Sequence, residues 1–359
     1  MFLIDHLRDL IEFIDRKFED SKLAPAWETI STFFFSLKTV TPVTGPHLRI
    51  NADLKRYMSV VMAMAAPTVL ASIYFFGWRS LAIVVLSYVV GIIIELIFAI
   101  QNNEEVTEGM FVTCILYPMI LPPTIPFWMA TIGIAVGIIL GKEVFGGTGK
   151  NIFNPAIVGR TFLAVTFPVE MAAMWVPPFR SGLGGFLHWS QSADVITTAT
   201  PLSMFKGGTS ANLMDMFLGF TSGSLGETSA LIIIVFGILL VITRVANWRL
   251  PLATIVSAAA LAWIMNLANP QQFAPPLYHL LGGGLLFGAF FMVTDPVTAP
   301  FTSQGKWLYG MLIGFLVITI RNLSGFPEGM MFAILFMNMF APVIDDAVVA
   351  VKYRKRRVK

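Results

Sequence analysis

Three groups of residues have types and spacing that could do chemistry. The first is Gly146-Gly147-Thr148-Gly149-Lys150-Asn151-Ile152-Phe153-Asn154-Pro155, in which three glycines among four residues let backbone approach a ligand closely. Pro155 after Asn154 suits the opening turn of a helix. The stretch does not match the phosphate-loop pattern G-x-x-x-x-G-K-[ST], so nucleotide hydrolysis is not indicated, and taken alone it reads better as a tight turn than as a ligand site. The second group comprises charges in apolar surroundings: Glu95, Arg160, Asp295, and Asp345 with Asp346. A charge inside a bilayer is costly unless paired, hydrated or, for an acid, protonated. Arg160 therefore implies a partner, a cavity or an anionic ligand, and Glu95 either handles ions or protons or pairs with Arg160. Asp295, Asp345 and Asp346 lie late in apolar runs, where a cation path and a solvated helix end are equal readings. The third group is Asp194-Val195-Ile196-Thr197-Thr198-Ala199-Thr200-Pro201-Leu202, followed by Gly207-Gly208 and Gly223-Ser224-Leu225-Gly226-Glu227. Hydroxyl spacing alone marks this as a polar loop. Cys114 is the sole cysteine, which excludes disulfides within the chain, Cys-ligated iron–sulfur clusters and Cys-based zinc sites.

The elements that position these residues follow from composition. Of the 359 residues 56% are hydrophobic and only 13% charged, against about 25% charged in soluble domains. The apolar residues fall in runs of roughly 17 to 24, long enough for a hydrocarbon core of about 30 Å. The expected fold is an all-α polytopic membrane protein of about ten transmembrane helices, near 57–77, 80–101, 109–123, 126–142, 152–168, 228–245, 250–267, 277–294, 306–321 and 328–350. Residues 1–56 read as an amphipathic cytoplasmic segment, with Leu3, Leu7, Leu10, Ile11 and Ile14 at helical spacing among charges. The order of its charges and apolar residues is wrong for a cleaved signal peptide.

Pro122-Pro123-Thr124-Ile125-Pro126-Phe127, closing the third span, matches Pro296-Val297-Thr298-Ala299-Pro300-Phe301, closing the eighth, at four of six positions. Five spans separate the two, so the halves 57–168 and 228–350 stand in opposite orientation as two inverted five-helix repeats, an arrangement that sets binding sites where the halves meet. Lys142, Lys150, Arg244, Arg249, Lys306 and the basic tail 351–359 put both termini inside, leaving Arg79, Arg180, Lys206 and Arg321 with the long loop 169–227 outside.

At 194–202 the pattern Asp-x-x-Thr-Thr-Ala-Thr-x-Leu resembles the flavinylation sequence Ser/Thr-Gly-Ala-Thr of one family. Its members are the B subunits of sodium-translocating NADH:quinone oxidoreductases and the D subunits of the ferredoxin-linked Rnf complexes. Thr198 stands where Gly is usual. Further stretches resemble the same family across nearly the whole chain: Glu105–Val112, Lys142–Pro155, Gly223–Glu227, Thr294–Val297, Gly305–Trp307 and Phe326–Met331. The segment before the first span, with Asp53-Leu54-Lys55-Arg56, resembles the extension of the sodium pump's subunit, which favours that branch over Rnf.

The resemblance implies FMN joined to Thr200 by a phosphoester, with Asp194, Thr197, Ala199 and Leu202 as recognition positions. It implies noncovalent riboflavin near the glycine turn, with Asn151, Asn154 and Arg160 as contacts. Gly91 and Glu95 match the region linked to ubiquinone reduction, and Glu95, Asp295 and Asp345 match acids linked to the sodium path. It also implies a six-subunit complex in a bacterial inner membrane, in which the A, C, D, E and F subunits supply what this chain lacks. The chain has no GxGxxG and no cluster ligands. The expected partners are those subunits, quinone, Na+ and lipid, and no nucleic acid. A urea-transporter-like channel with the same repeat is the competing reading; it gives the Thr200 motif no role.

Overall fold

The computed structural model describes residues 54–102, 109–180, 182–190, 199–326 and 328–357, and every regular element among them is helical. The expectations placed on residues 1–53 and on Asp194 and Thr197 lie outside the described residues. In chain order the α-helices are α1 (Leu54–Phe76), α2 (Trp78–Asn102), α3 (Gly109–Met119), α4 (Phe127–Gly141), α5 (Pro155–Thr166), α6 (Pro168–Ala173), α7 (Pro201–Lys206), α8 (Leu213–Leu218), α9 (Ala230–Ile242), α10 (Arg249–Ala268), α11 (Pro276–Leu281), α12 (Leu285–Phe287), α13 (Ser303–Leu323) and α14 (Met330–Arg357).

Among the described residues six helices are long and apolar enough to cross a membrane: α1, α2, α4 with its 3-10 extension, α10, α13 and α14. Helices α3, α5 and α9, of 11, 12 and 13 residues, are apolar but shorter, below the roughly 20 residues that an untilted span needs. The expected eighth span, 277–294, is not one helix. It breaks into α11, a turn at Gly282-Gly283-Gly284, α12 and a π-turn at Gly288–Met292. Gly283 takes a φ of +67° that a side chain disfavours. Irregular backbone at such a place is tolerated where it lines a cavity within the protein, and the carboxylates described below occupy that cavity.

The packing partners of the two halves correspond. Helix α2 packs on α3 and α4, as α10 packs on α11 and α13; α4 packs on α5, as α13 packs on α14. Across the halves α1 meets α9 and α5 meets α14. Tyr117, Ile134, Phe287 and Ile313 are fully buried in the core. The loop between the halves folds back onto the end where α1 turns into α2: the Phe179 N–H donates to Phe75 O at 2.8 Å and the Arg79 N–H to Trp189 O at 2.8 Å. Its last residues dock on the end of α3, where the Gly226 N–H donates to Met119 O at 2.7 Å. The glycine turn lies at the opposite end of the helices, beside the start of α1.

Candidate functional site: two cavities at opposite ends

Thr200 caps the N-terminus of α7 in an extended conformation, accepting from the Ser203 N–H at 3.4 Å with the Ser203 hydroxyl 3.1 Å away. The half-buried hydroxyl borders a cavity of about 520 Å³ walled by Arg160, Glu227, Glu328 and Gly282-Gly283. Arg160 is 7% exposed, and its Nε donates to Ile120 O at 2.7 Å. That carbonyl is open because α3 ends at Met119, ahead of the prolines at 122 and 123.

Glu328 is held by many donors. Arg321, 1% exposed, donates through Nη2 to both carboxylate oxygens at 2.9 and 3.0 Å, and the N–H groups of Gly284, Gly329 and Met330 donate at 2.9, 3.0 and 3.1 Å. Glu227 is enclosed by protein and keeps an open face on the cavity. Burial first, and then the Glu328 carboxylate, push its carboxyl up to about 7, against the Ser224 hydroxyl, Arg160 and Arg321, which lower it. The site thus favours the neutral carboxyl of Glu227 more than water favours that of an exposed glutamate.

The glycines make this packing feasible. A Cβ on Gly284 would stand 2.1 Å from Glu227 Oε1, and one on Gly283 2.2 Å from Glu328 Oε2. Gly284→Ala is expected to cost about 1–3 kcal/mol as an overpacked position, seen as a lowered thermal midpoint in detergent. Gly325→Ala, whose Cβ meets nothing within 4 Å, is expected to leave that midpoint unchanged.

At the other end a second cavity lies where the halves meet. Asn151, Asn154, Lys142 and Thr148 come from the first half and Asp295 from the second. Asn154 caps α5, its Oδ1 accepting from the Ala156 N–H at 3.1 Å, while its Nδ2 is 3.5 Å from Asp295 Oδ2. Asp295 also accepts from the Val297 N–H at 3.1 Å and the Thr298 hydroxyl at 3.0 Å. Asn151 braces the glycine turn, accepting from the Gly149 N–H at 3.1 Å and donating to Phe153 O at 2.9 Å. A third, more open cavity holds Glu95, Glu143 and Lys150, and Lys142 and Thr148 line it as well as the second.

The structure thus brings Asn151, Asn154 and Asp295 together and separates Arg160 from them. Arg160 shares the Thr200 cavity instead, because six residues along α5 from Asn154 carry it about 9 Å up the helix at 1.5 Å per residue. The alternative of a Glu95–Arg160 pairing is not met, and Glu95 instead forms a buried ion pair with Lys142. Gly91, one turn earlier, lies against α3, where a Cβ would meet Cys114 Sγ at 2.4 Å. Asp345 is in neither of the two closed cavities. It anchors the start of α13, accepting from the N–H groups of Phe301 and Thr302 at 2.6 and 3.0 Å and from the Thr302 hydroxyl at 2.5 Å. Ala199 is exposed and Leu202 buried beside Thr200. Among the described residues no group of three or more His, Cys, Asp or Glu side chains could hold a metal ion.

Sequence reasoning passed over Glu227, Glu328, Lys142 and the true setting of Arg321, which is buried rather than in an outer loop. A signal was present: a run of three glycines inside an apolar segment marks an interrupted helix, and such segments line binding sites in inverted-repeat membrane proteins.

Residues 41–354 match the model of the NQR2, RnfD, RnfE family. The chain is 36% identical to the B subunit of the Na(+)-translocating NADH-quinone reductase of Pseudomonas paraeruginosa over 98% of both chains. It is 35% identical to the subunit of the same name from Yersinia pestis over 98% of this chain and 99% of the other. For that of Chromohalobacter salexigens the identity is 37%, covering 93% of this chain and 91% of the other.

Proposed function

The chain belongs to the NQR2, RnfD, RnfE family, and from that premise we propose that it is the flavin-carrying B subunit of a sodium-translocating NADH:quinone reductase. In this reading Thr200 bears FMN through a phosphoester, Asn151 and Asn154 contact a noncovalent riboflavin, and electrons pass to ubiquinone near Gly91 and Glu95. The observation that carries it is the position of Thr200: its hydroxyl, in a stretch that resembles the flavinylation sequence except at Thr198, opens on the cavity walled by Arg160 and Glu227. A polar chamber with a buried guanidinium fits a flavin's carbonyl edge and charge on reduction, whereas a solute channel has no need of one beside a loop threonine.

Flavins supply the electron chemistry when bound, and the residues do the rest. The Thr200 oxygen would hold the FMN phosphate as an ester. Arg160, fixed at Ile120 O, sets a positive wall. Glu227 holds or releases a proton at the same cavity. Asn151 and Asn154, braced by the backbone, offer their remaining amide valences at the opposite end. Glu95, Asp295 and Asp345 provide the hard carboxylate oxygens that suit Na+.

We place the chain in a bacterial inner membrane as two inverted repeats, with the loop 169–227 outside, both termini inside, and the A, C, D, E and F subunits as partners. A reporter fused after Lys359 is expected to be active only if it works in the cytoplasm; periplasmic activity would reverse the orientation. Mass spectrometry of peptides from 181–243 tests the cofactor directly. An FMN-sized adduct on the peptide holding Thr200 is the expected result, and an unmodified peptide from the assembled complex would remove the reading.

A further inference from the structure

We propose that Lys142 sets the electrostatic potential of the cavity formed by Asn151, Asn154 and Asp295, and that its ion pair with Glu95 ties that cavity to the neighbouring one. This rests on the reading that the first of these cavities holds the noncovalent flavin.

Lys142 is 3% exposed, and its ammonium is paired with Glu95 and lies 3.6 Å from Glu143. Its backbone holds it in place: Lys142 ends α4, its N–H donating to Ile138 O at 3.0 Å, and its carbonyl accepts from the N–H groups of Phe145 and Gly147 at 3.1 and 3.2 Å. The side chain therefore stands in the wall between the two cavities, and among the described residues Lys142 and Thr148 line both. A buried ion pair adds little net stability over an apolar pair of the same volume. What it does add is a charge at a fixed place. Buried pairs are also weakly screened by salt and water, so that charge is felt across the cavity.

A flavin ring gains negative charge on reduction, and charge near its N1 and N5 edges tunes its potential. The cation of Lys142 favours the reduced ring, and the partial neutralisation by Glu95 opposes it. Glu143 beside Lys142, Asp295 on the far wall and Lys150 on the Glu95 side make up the rest of the local charge. Any change at Glu95, protonation or cation binding included, is then transmitted to the flavin cavity through Lys142.

The test is a spectroscopic redox titration of the noncovalent flavin in the complete purified complex. Lys142→Met is expected to lower its midpoint potential, Glu95→Gln to raise it by removing the carboxylate charge that partly neutralises the ammonium, and Lys142→Arg to leave it near the unaltered value. Opposite signs at two residues in contact are not what lost packing produces. Covalent flavin, read by fluorescence in denaturing gels, reports that the variant complexes assemble. If Lys142→Met does not keep its flavin, Glu95→Gln decides alone. Shifts of the same sign, or none, in complexes that retain the flavin overturn the proposal. An unaltered complex with no extractable flavin overturns the reading of the cavity as well.

Discussion

Thr200→Ala is expected to abolish covalent flavin, leaving no fluorescent band for this chain in a denaturing gel. A phosphoester needs a hydroxyl oxygen, and the one other hydroxyl on α7, that of Ser203, stands 3.1 Å from that of Thr200. Thr200→Ser, which keeps a primary alcohol, retains part of the signal. The substitution is not expected to unfold the chain. Thr200 does cap α7, and losing an N-cap typically costs about 0.5–2 kcal/mol, but α7 has only six residues and is also held by the buried Leu202 and by the Tyr278 hydroxyl, which donates to Pro201 O at 2.9 Å. Thr197→Ala and Thr198→Ala, which remove hydroxyls at neighbouring positions, reduce attachment at most. Noncovalent flavin persists in Thr200→Ala, because Asn151 and Asn154 lie at the other end of the helices. Covalent fluorescence that survives in Thr200→Ala would mean that the flavin is carried elsewhere.

Arg321→Ala is expected to be the most destabilising single change in the second half. The guanidinium is 1% exposed, holds both oxygens of Glu328, and donates through Nη1 to His279 O at 2.6 Å. Removing one partner of a buried ion pair typically costs about 3–5 kcal/mol, since the other charge stays in place without its partner. Here the three backbone N–H groups on Glu328 soften that loss, and the cavity left by the side chain adds to it. The measurement is the thermal midpoint of the detergent-purified complex. Glu328→Gln, which keeps the size and most of the hydrogen bonds, is expected to cost less. Equal loss in the two variants would show that the charge pairing rather than the volume of the side chain sets the stability there. The same cavity gives Arg321→Ala a second consequence, because Glu227 loses a neighbouring cation and its carboxyl rises further.

Much of this was legible in one dimension. The fold class and the places of the helices followed from the lengths of the apolar runs, since a chain in lipid must satisfy each N–H and C=O locally and the helix does so within its own segment. Each run read as a span contains a helix or, at 277–294, a broken one. Asn154-Pro155 named the start of α5 for the same local reason: an Asn cap and a Pro in the first turn need no distant partner. Thr200 was singled out through its motif.

What the sequence could not carry were the choices made between distant segments. The break at Gly282–Gly284 depends on Glu227 and Glu328, which lie 57 and 44 residues from Gly284 and fill the space that a Cβ there would need. Arg160 could have faced either end of α5; the carbonyl of Ile120, freed where α3 stops, drew it to the Thr200 cavity. Glu95 took Lys142 as partner because α2 packs against α4, and Arg321 left the loop side for Glu328 because the turn between α13 and α14 brings the two together. Periodicity and motif act over a few residues and so are written along the chain. The pairing of buried charges is set by which helices touch, and only the packed structure decides that.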